Sequence, residues 1–276
     1  MKIFFDHVAG KLTHHDLIYS LALAEFEPDE YDYAFDNGWI PLSWYYTKMD
    51  KLTWLNARTS RLILDKFTFS KKQKYKLKSE VTFKVVDKID EETKKQQGDI
   101  YRKYAKHKGY DEEEFFAFRE DPIDWKTFLY YHGDKLIAFT EFFDFGKQIL
   151  TGQFAWDYED YKLGVGTFAT LSEIKWAIDN GYEKYYLSYA YEKSSLYKAK
   201  YDGFEFWTGR EWSQDTELFE CLCKNDSKIE SLKDLKKTIK SKNEKKLEKI
   251  FTKTKKIRKQ IIEAGQDISK PDFGRK

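Results

Sequence analysis

Apolar positions recur at helical spacing through residues 168–178, where Phe168, Leu171, Ile174 and Ile178 fall on one face. Thr167 is a cap candidate just before that face, and Gly181 sits just past its end, so the pattern predicts one helix. Gly164 and Gly166 form a turn immediately upstream. Residues 184–191, dominated by Tyr and Leu, predict a strand immediately downstream. A helix N-terminus preceded by glycines offers free backbone N–H groups to an anion or to a developing negative charge.

The same reading extends along the chain. Leu17, Leu21 and Ala24 predict a helix ending near the acidic cluster 25–32. Asn37-Gly38 is a tight-turn signal before a short aromatic strand. Residues 61–64 predict a strand, followed by Phe67 and the basic run Ser70-Lys71-Lys72-Gln73-Lys74. Residues 81–87 alternate as a strand. Residues 91–108 predict a helix with Ile100, Tyr101 and Tyr104 on one face, and His107 near its end either titrates near neutrality or caps the helix dipole. The acidic, aromatic stretch 111–125 predicts a helix and loop closing over a cleft. Two strands across Gly133-Asp134 and a third at 149–156 predict an antiparallel meander, with Glu141 facing either a cleft or solvent. Residues 217–222 predict a last strand. In the tail, two helical stripes (Ile229, Leu232, Leu235, Ile239; then Leu247, Ile250, Ile257, Ile261) call for a packing partner: the body, a twin subunit or another molecule.

Charge changes this picture. Residues 224–276 carry 18 basic and 8 acidic residues, whereas 1–223 carry 31 and 39. A basic tail on an acidic body is either a footprint for nucleic acid or a solvated helix face. At 276 residues the chain can form one large domain or two small ones. No apolar run is long enough for a membrane span, and the first residues lack a signal-peptide layout. Cys221 and Cys223, one residue apart, suit neither an intrachain disulfide nor a four-ligand zinc site, so a reducing cytoplasmic setting is expected.

The order Leu163-Gly164, Phe168, Leu171, Glu173-Ile174, Ala177, Gly181, then Tyr185-Tyr186-Leu187-Ser188-Tyr189 and Tyr197-Lys198-Ala199-Lys200-Tyr201, resembles the C-terminal core of the arginyl- and leucyl-tRNA–protein transferases. That core runs S-L-G turn, helix, Y-x-L-G-Y strand and Y-K-x-x-F segment. Lys162 stands here for the family's Ser, and Ser188 for its usual Gly. Asn37-Gly38-Trp39 resembles an R-G-W element, and 70–74 an S-x-x-Q-R-R element. Tyr101-Arg102-Lys103-Tyr104 with His107 resembles L-Y-x-x-Y-x-x-x-R-H. The arginyl type also carries an N-terminal cysteine cluster, whereas the first cysteine here is Cys221.

The resemblance implies an α/β (α+β) fold with an acetyltransferase-like (GNAT) mixed sheet flanked by helices, plus a basic helical C-terminal extension. It divides the chain into an N-terminal segment 1–78, a catalytic core 79–223 and a tail 224–276. It implies an N-end rule aminoacyltransferase that moves an amino acid from aminoacyl-tRNA to a protein or peptide amine, with no cofactor. Direct transfer needs no enzyme nucleophile, and no G-x-S-x-G elbow is present. Within this reading the Leu163, Gly164 and Gly166 turn approaches the donor backbone-first. Tyr189 and Tyr191 stack on the terminal adenine or bond the ester. Lys198 and Lys200 neutralise phosphate, Tyr201 and Trp39 line the substrate site, and Asp157 binds either the acceptor's α-amine or a basic donor side chain. Arg61, Lys71, Lys72, Gln73, Lys74 and Arg102 contact tRNA. Two other readings stay open. One is an acyl-CoA N-acyltransferase, since Tyr161-x-x-Gly164-x-Gly166 keeps both glycines but not the usual leading Arg or Gln. The other is a non-catalytic RNA- or protein-binding relative, with the tail as a homodimer contact or RNA arm.

Overall fold

The computed structural model describes residues 2–4, 22–42, 52–109, 125–209 and 211–226. The expected helix around Leu17 and Leu21, most of the 111–125 segment and the helical tail beyond 226 lie outside these residues. The chain divides into two compact units: Met1–Arg61 with Leu187–Lys276, and Leu62–Tyr186.

The second unit carries the antiparallel meander β6 (Val81–Val86), β7 (Trp125–His132), β8 (Lys135–Asp144) and β9 (Gln148–Trp156). The start of β10 (Lys184–Tyr189) joins β9 in parallel, so the strand order is β10-β9-β8-β7-β6 and the sheet is mixed. A parallel neighbour needs a crossover, and helix α4 (Val165–Asp179) supplies it. Helix α3 (Glu91–Lys108) starts where the Asp90 carboxylate accepts from the Thr93 N–H at 2.7 Å and stops at Gly109, whose φ of 71° ends the helical ladder. Its Ile100, Tyr101 and Ala105 pack on Leu129, Phe139 and Ala155 of the sheet. Glu141 is buried, which excludes the solvent-facing alternative.

The first unit holds the antiparallel sheet β1 (Lys2–Phe4), β2 (Ala22–Glu25), β4 (Thr53–Asn56), β3 (Trp39–Leu42), in that order. Ala24 therefore lies in a strand rather than in a helix. Its partner register, Ala24 opposite Trp54, places it in the core, where local periodicity has no say. Helix α1 (Tyr31–Asp36) precedes β3, and Phe35 stacks edge-on against the buried Trp54 at 5.1 Å. Strand β5 (Thr59–Ile63) begins in this unit, as do β11 (Phe204–Trp207) and β12 (Trp212–Ser213). The segment expected as a last strand, 217–222, is instead helix α5 (Thr216–Asn225). Asp215 caps it by accepting from the Leu218 N–H at 2.9 Å, and Phe219, Leu222 and Cys223 bury one helical face. No described helix is long and apolar enough to cross a membrane.

Candidate functional site

In the first unit, β10 ends abruptly. Ser188 has φ 60°, a left-handed conformation rare for a residue with a side chain and freely adopted by glycine. The Thr59 hydroxyl donates to the Ser188 carbonyl at 3.0 Å, and the Ala190 N–H donates to the Arg58 carbonyl at 2.9 Å. The carbonyls of Leu187 and Tyr189, on either side of the kink, both accept from Lys198 Nζ, the first at 2.6 Å. The 3-10 turn Lys193–Lys200 brings Lys198 back to the strand.

Lys198 is buried, and loss of water pushes its amine down to about 7, although the nearby Cys223 thiol acts the other way. Near neutrality the amine is therefore neutral in a large fraction of molecules. With two hydrogens directed at carbonyls, a neutral amine keeps one lone pair for an incoming proton. The rings of Tyr189 and Tyr191 stack at 5.7 Å and 10°. Tyr189 is half-buried and Tyr191 buried. Tyr201 is also half-buried and meets Tyr197 edge-on at 6.4 Å, while Lys200 is exposed.

Residues that sequence reasoning missed hold this cluster. Buried Arg58 donates from Nε to the Ala190 carbonyl at 2.8 Å, pairs with Asp226, and lies 5.5 Å from the Tyr191 ring. Asp226 also accepts from the Glu192 N–H at 2.6 Å, at a second left-handed position, φ 54°. Burial pushes the Cys223 thiol up to about 12, so it remains protonated. The separation of 168 residues between Arg58 and Asp226 hides this pair from any local pattern.

In the second unit, Gly164 rather than Thr167 stands at the start of α4. Its φ of 64° closes the preceding turn, and its carbonyl accepts from the N–H groups of Thr167 and Phe168 at 3.1 Å each. No backbone acceptor among the described residues engages the N–H groups of Val165 and Gly166, which leaves two donors at the helix start. Leu163 is half-buried on this turn.

Asp157 is buried. Lys103 donates to its carboxylate at 3.0 Å, Lys135 lies at 3.3 Å, and the Glu159 N–H donates at 3.1 Å. Burial alone raises its carboxyl, but these donors outweigh it and hold the group below its usual range. An acceptor amine at Asp157 has to compete with two in-chain ammonium groups.

Residues expected to contact tRNA divide into two kinds. Lys71, Lys72 and Lys74 are exposed on α2 (Lys71–Lys76), and Arg102 is exposed beside Asp99. Gln73 instead closes a capping box: its Oε1 accepts from the Ser70 N–H at 2.8 Å, and its own N–H donates to the Ser70 hydroxyl at 3.2 Å. Arg61 is buried, fork-bonded to Glu205 at 2.8 and 2.9 Å, and stacked 3.8 Å over Trp212. A phosphate reaching Arg61 must displace that carboxylate. Trp39 is buried edge-on against Phe26 at 5.3 Å, within the core of the first unit.

Glu173 is buried on α4, and its carboxylate accepts from Tyr130 (2.6 Å), Thr140 (2.5 Å) and Tyr185. Burial raises its carboxyl, and the three hydroxyls partly offset that. His107 stacks on Tyr158 at 3.6 Å. No cluster of three or more His, Cys, Asp or Glu able to hold a metal occurs among the described residues.

A mixed sheet with a parallel strand fed by a glycine-started helix, followed by a kinked strand end and a buried lysine, defines an α+β protein with flanking helices. Residues 67–208, just over half of the chain, match the family described as "Arginine-tRNA-protein transferase, C terminus", and the chain belongs to that family. No curated protein matches it significantly. Among solved structures, the C-terminal domain of a putative lysylphosphatidylglycerol synthetase from Agrobacterium fabrum aligns with TM-score 0.41 and 14% identity, over 79% of this chain and 63% of that one. L-PGS from Bacillus licheniformis aligns with TM-score 0.40 and 15% identity, over 61% and 50%. A GCN5-related N-acetyltransferase from Kribbella flavida aligns with TM-score 0.31 and 15% identity, over 55% and 50%. The chain thus covers between half and just under two thirds of each of these structures.

Proposed function

We propose that this protein is an aminoacyltransferase that moves an amino acid from aminoacyl-tRNA to a primary amine, with a protein or peptide N-terminus as the acceptor. Family membership across 67–208 supports the donor class. Within that span, the observation that carries the chemistry is Lys198, a buried amine near pKa 7 fixed at the kink of β10.

The reaction balances as follows. The acceptor amine attacks the ester carbonyl, a C–N bond forms, and the C–O bond to the terminal ribose breaks. The attacking nitrogen must lose a proton and the ribose oxygen must gain one. A neutral Lys198 takes the first proton and, as ammonium, returns it to the leaving oxygen. Half-buried Tyr189, backed by the stacked and buried Tyr191, presents its ring and hydroxyl to the terminal nucleoside, and exposed Lys200 faces phosphate. In the second unit, the Leu163, Gly164 and Gly166 turn leaves the Val165 and Gly166 N–H groups for an anionic group of the donor. This role for Lys198 replaces simple phosphate neutralisation, because a half-neutral buried amine is a weak anion holder and a good proton carrier.

The test is transfer of radiolabelled amino acids from a pool of charged tRNAs to peptides with free or acetylated N-termini. Label on the free peptide alone supports the proposal. Label from acyl-CoA but not from tRNA sinks it.

A further inference from the structure

Tyr75 is the most exposed large apolar side chain among the described residues, at 73%. Its neighbourhood explains why that exposure is built in. Phe67 is buried and packs edge-on with Phe69 at 4.8 Å, Leu77 is half-buried, and the Ser70–Gln73 capping box fixes where α2 starts. These inward-facing groups anchor the segment and turn Tyr75 outward. On α2, Lys71 and Lys72 lie four and three residues before Tyr75, so they share its face. The Lys78 N–H donates to the Tyr75 carbonyl at 3.1 Å, which carries the turn on to a further exposed lysine.

Some lysines elsewhere in the same unit are paired. Lys94, Lys126, Lys147 and Lys175 each sit against a carboxylate. Lys71, Lys72, Lys74, Lys76 and Lys78 have no ion pair among the described residues, and all are exposed. The next acid, Glu80, lies 3.5 Å from His132. Unpaired cations around an outward aromatic ring suit a polyanion that also offers a flat, unstacked face.

We infer that the α2 surface is a single-strand RNA platform, in which Tyr75 stacks on an unpaired base while Lys71, Lys72 and Lys78 contact its flanking phosphates. Duplex RNA hides its base faces and presents only phosphates, so Tyr75 distinguishes the two. Naming RNA as the polyanion rests on the aminoacyl-tRNA reading above. The surface itself requires no transfer chemistry.

The probe is a fluorescent, unstructured RNA of roughly ten nucleotides without an attached amino acid, compared with a duplex of equal charge and with anionic vesicles. The wild-type protein binds the single strand more tightly than the duplex. Tyr75→Ala weakens single-strand binding roughly tenfold without changing its salt dependence, and Tyr75→Trp restores it. Joint Lys71→Gln and Lys72→Gln substitution lowers the salt slope by about 1.4, whatever the sequence of the strand. All four side chains are exposed, so the variants fold, which an unchanged melting temperature checks. Equal affinity for duplex, indifference to Tyr75→Ala, or a Tyr75-dependent affinity for vesicles but not RNA overturns the inference. Because the probe carries no amino acid, failure here leaves the transfer proposal standing. Absence of transfer alongside Tyr75-dependent RNA binding overturns the transfer proposal and leaves this surface.

Discussion

Lys198 in the first unit and Glu173 in the second are both buried ionisable groups, and each has its charge opposed by loss of water. Their neighbours differ in kind. Glu173 accepts from three side-chain hydroxyls, and a hydroxyl can turn to donate or accept. Whichever protonation state Glu173 takes, its partners can follow, and the result is a knot that ties α4 to the sheet. Lys198 faces two backbone carbonyls, which only accept. Its hydrogens stay where they are when the amine loses a proton, and the lone pair that appears meets no donor among the described residues. One buried charge therefore fixes packing, and on the transfer proposal the other exchanges a proton with substrate.

The comparison breaks first at Lys198. Lys198→Met keeps the volume and removes the amine. Single-turnover transfer falls by roughly 10²- to 10⁴-fold while the protein stays folded, at a cost of about 1–3 kcal/mol for the two carbonyls left without a donor. Glu173→Ala should do the reverse. It strands the hydroxyls of Tyr130, Thr140 and Tyr185 in the core and costs about 3 kcal/mol or more of stability in denaturant titrations. Glu173→Gln, which keeps an acceptor, costs roughly 1 kcal/mol.

The pH dependence of stability sharpens the contrast. The unfolded Lys198 amine titrates near 10.5 and the folded one near 7. Between these values the unfolded chain holds a proton that the folded chain has released, so stability rises with pH, and Lys198→Met removes the rise. Cys223 opposes this above about 9, since its thiol deprotonates in the unfolded chain long before the folded value of about 12, so the window to read is pH 7–9. Glu173 acts with the opposite sign: its raised folded value makes stability fall as pH climbs above the ordinary 4.5, and Glu173→Gln removes that fall. The smallest effect is at the kink. Ser188→Gly releases the left-handed strain at φ 60° and raises stability by less than about 1 kcal/mol, with transfer retained.

Much of this arrangement was legible because it is local. The turn, helix and strand at 164–189 and the meander at 125–156 each declare themselves by spacing within one element. The chain read as one strand through Ser188, so neither the kink there nor its partner Lys198 at hydrogen-bond distance was legible. Residues 216–225 misled because Phe219, Leu222 and Cys223 share a helical face while the intervening Cys221 imitates alternation. Ala24 misled because its environment is set by strands from distant sequence. The pairs Arg58–Asp226 and Arg61–Glu205 span 168 and 144 residues. Nothing in either local segment tells an arginine awaiting phosphate from one already held by a carboxylate. The first unit, built from both ends of the chain, shows the general limit: its contacts follow from closure of the chain and not from periodicity.

The central claim is that Lys198 exchanges the proton during transfer. Its most direct test is the single-turnover rate of transfer from charged tRNA to a peptide amine across pH 5.5–9, for the wild-type protein and Lys198→Met. The expected wild-type profile has an inflection near 7, and the slow Lys198→Met profile keeps only the inflection of the acceptor amine. A Lys198→Met protein with wild-type rates and the same inflection near 7 contradicts it.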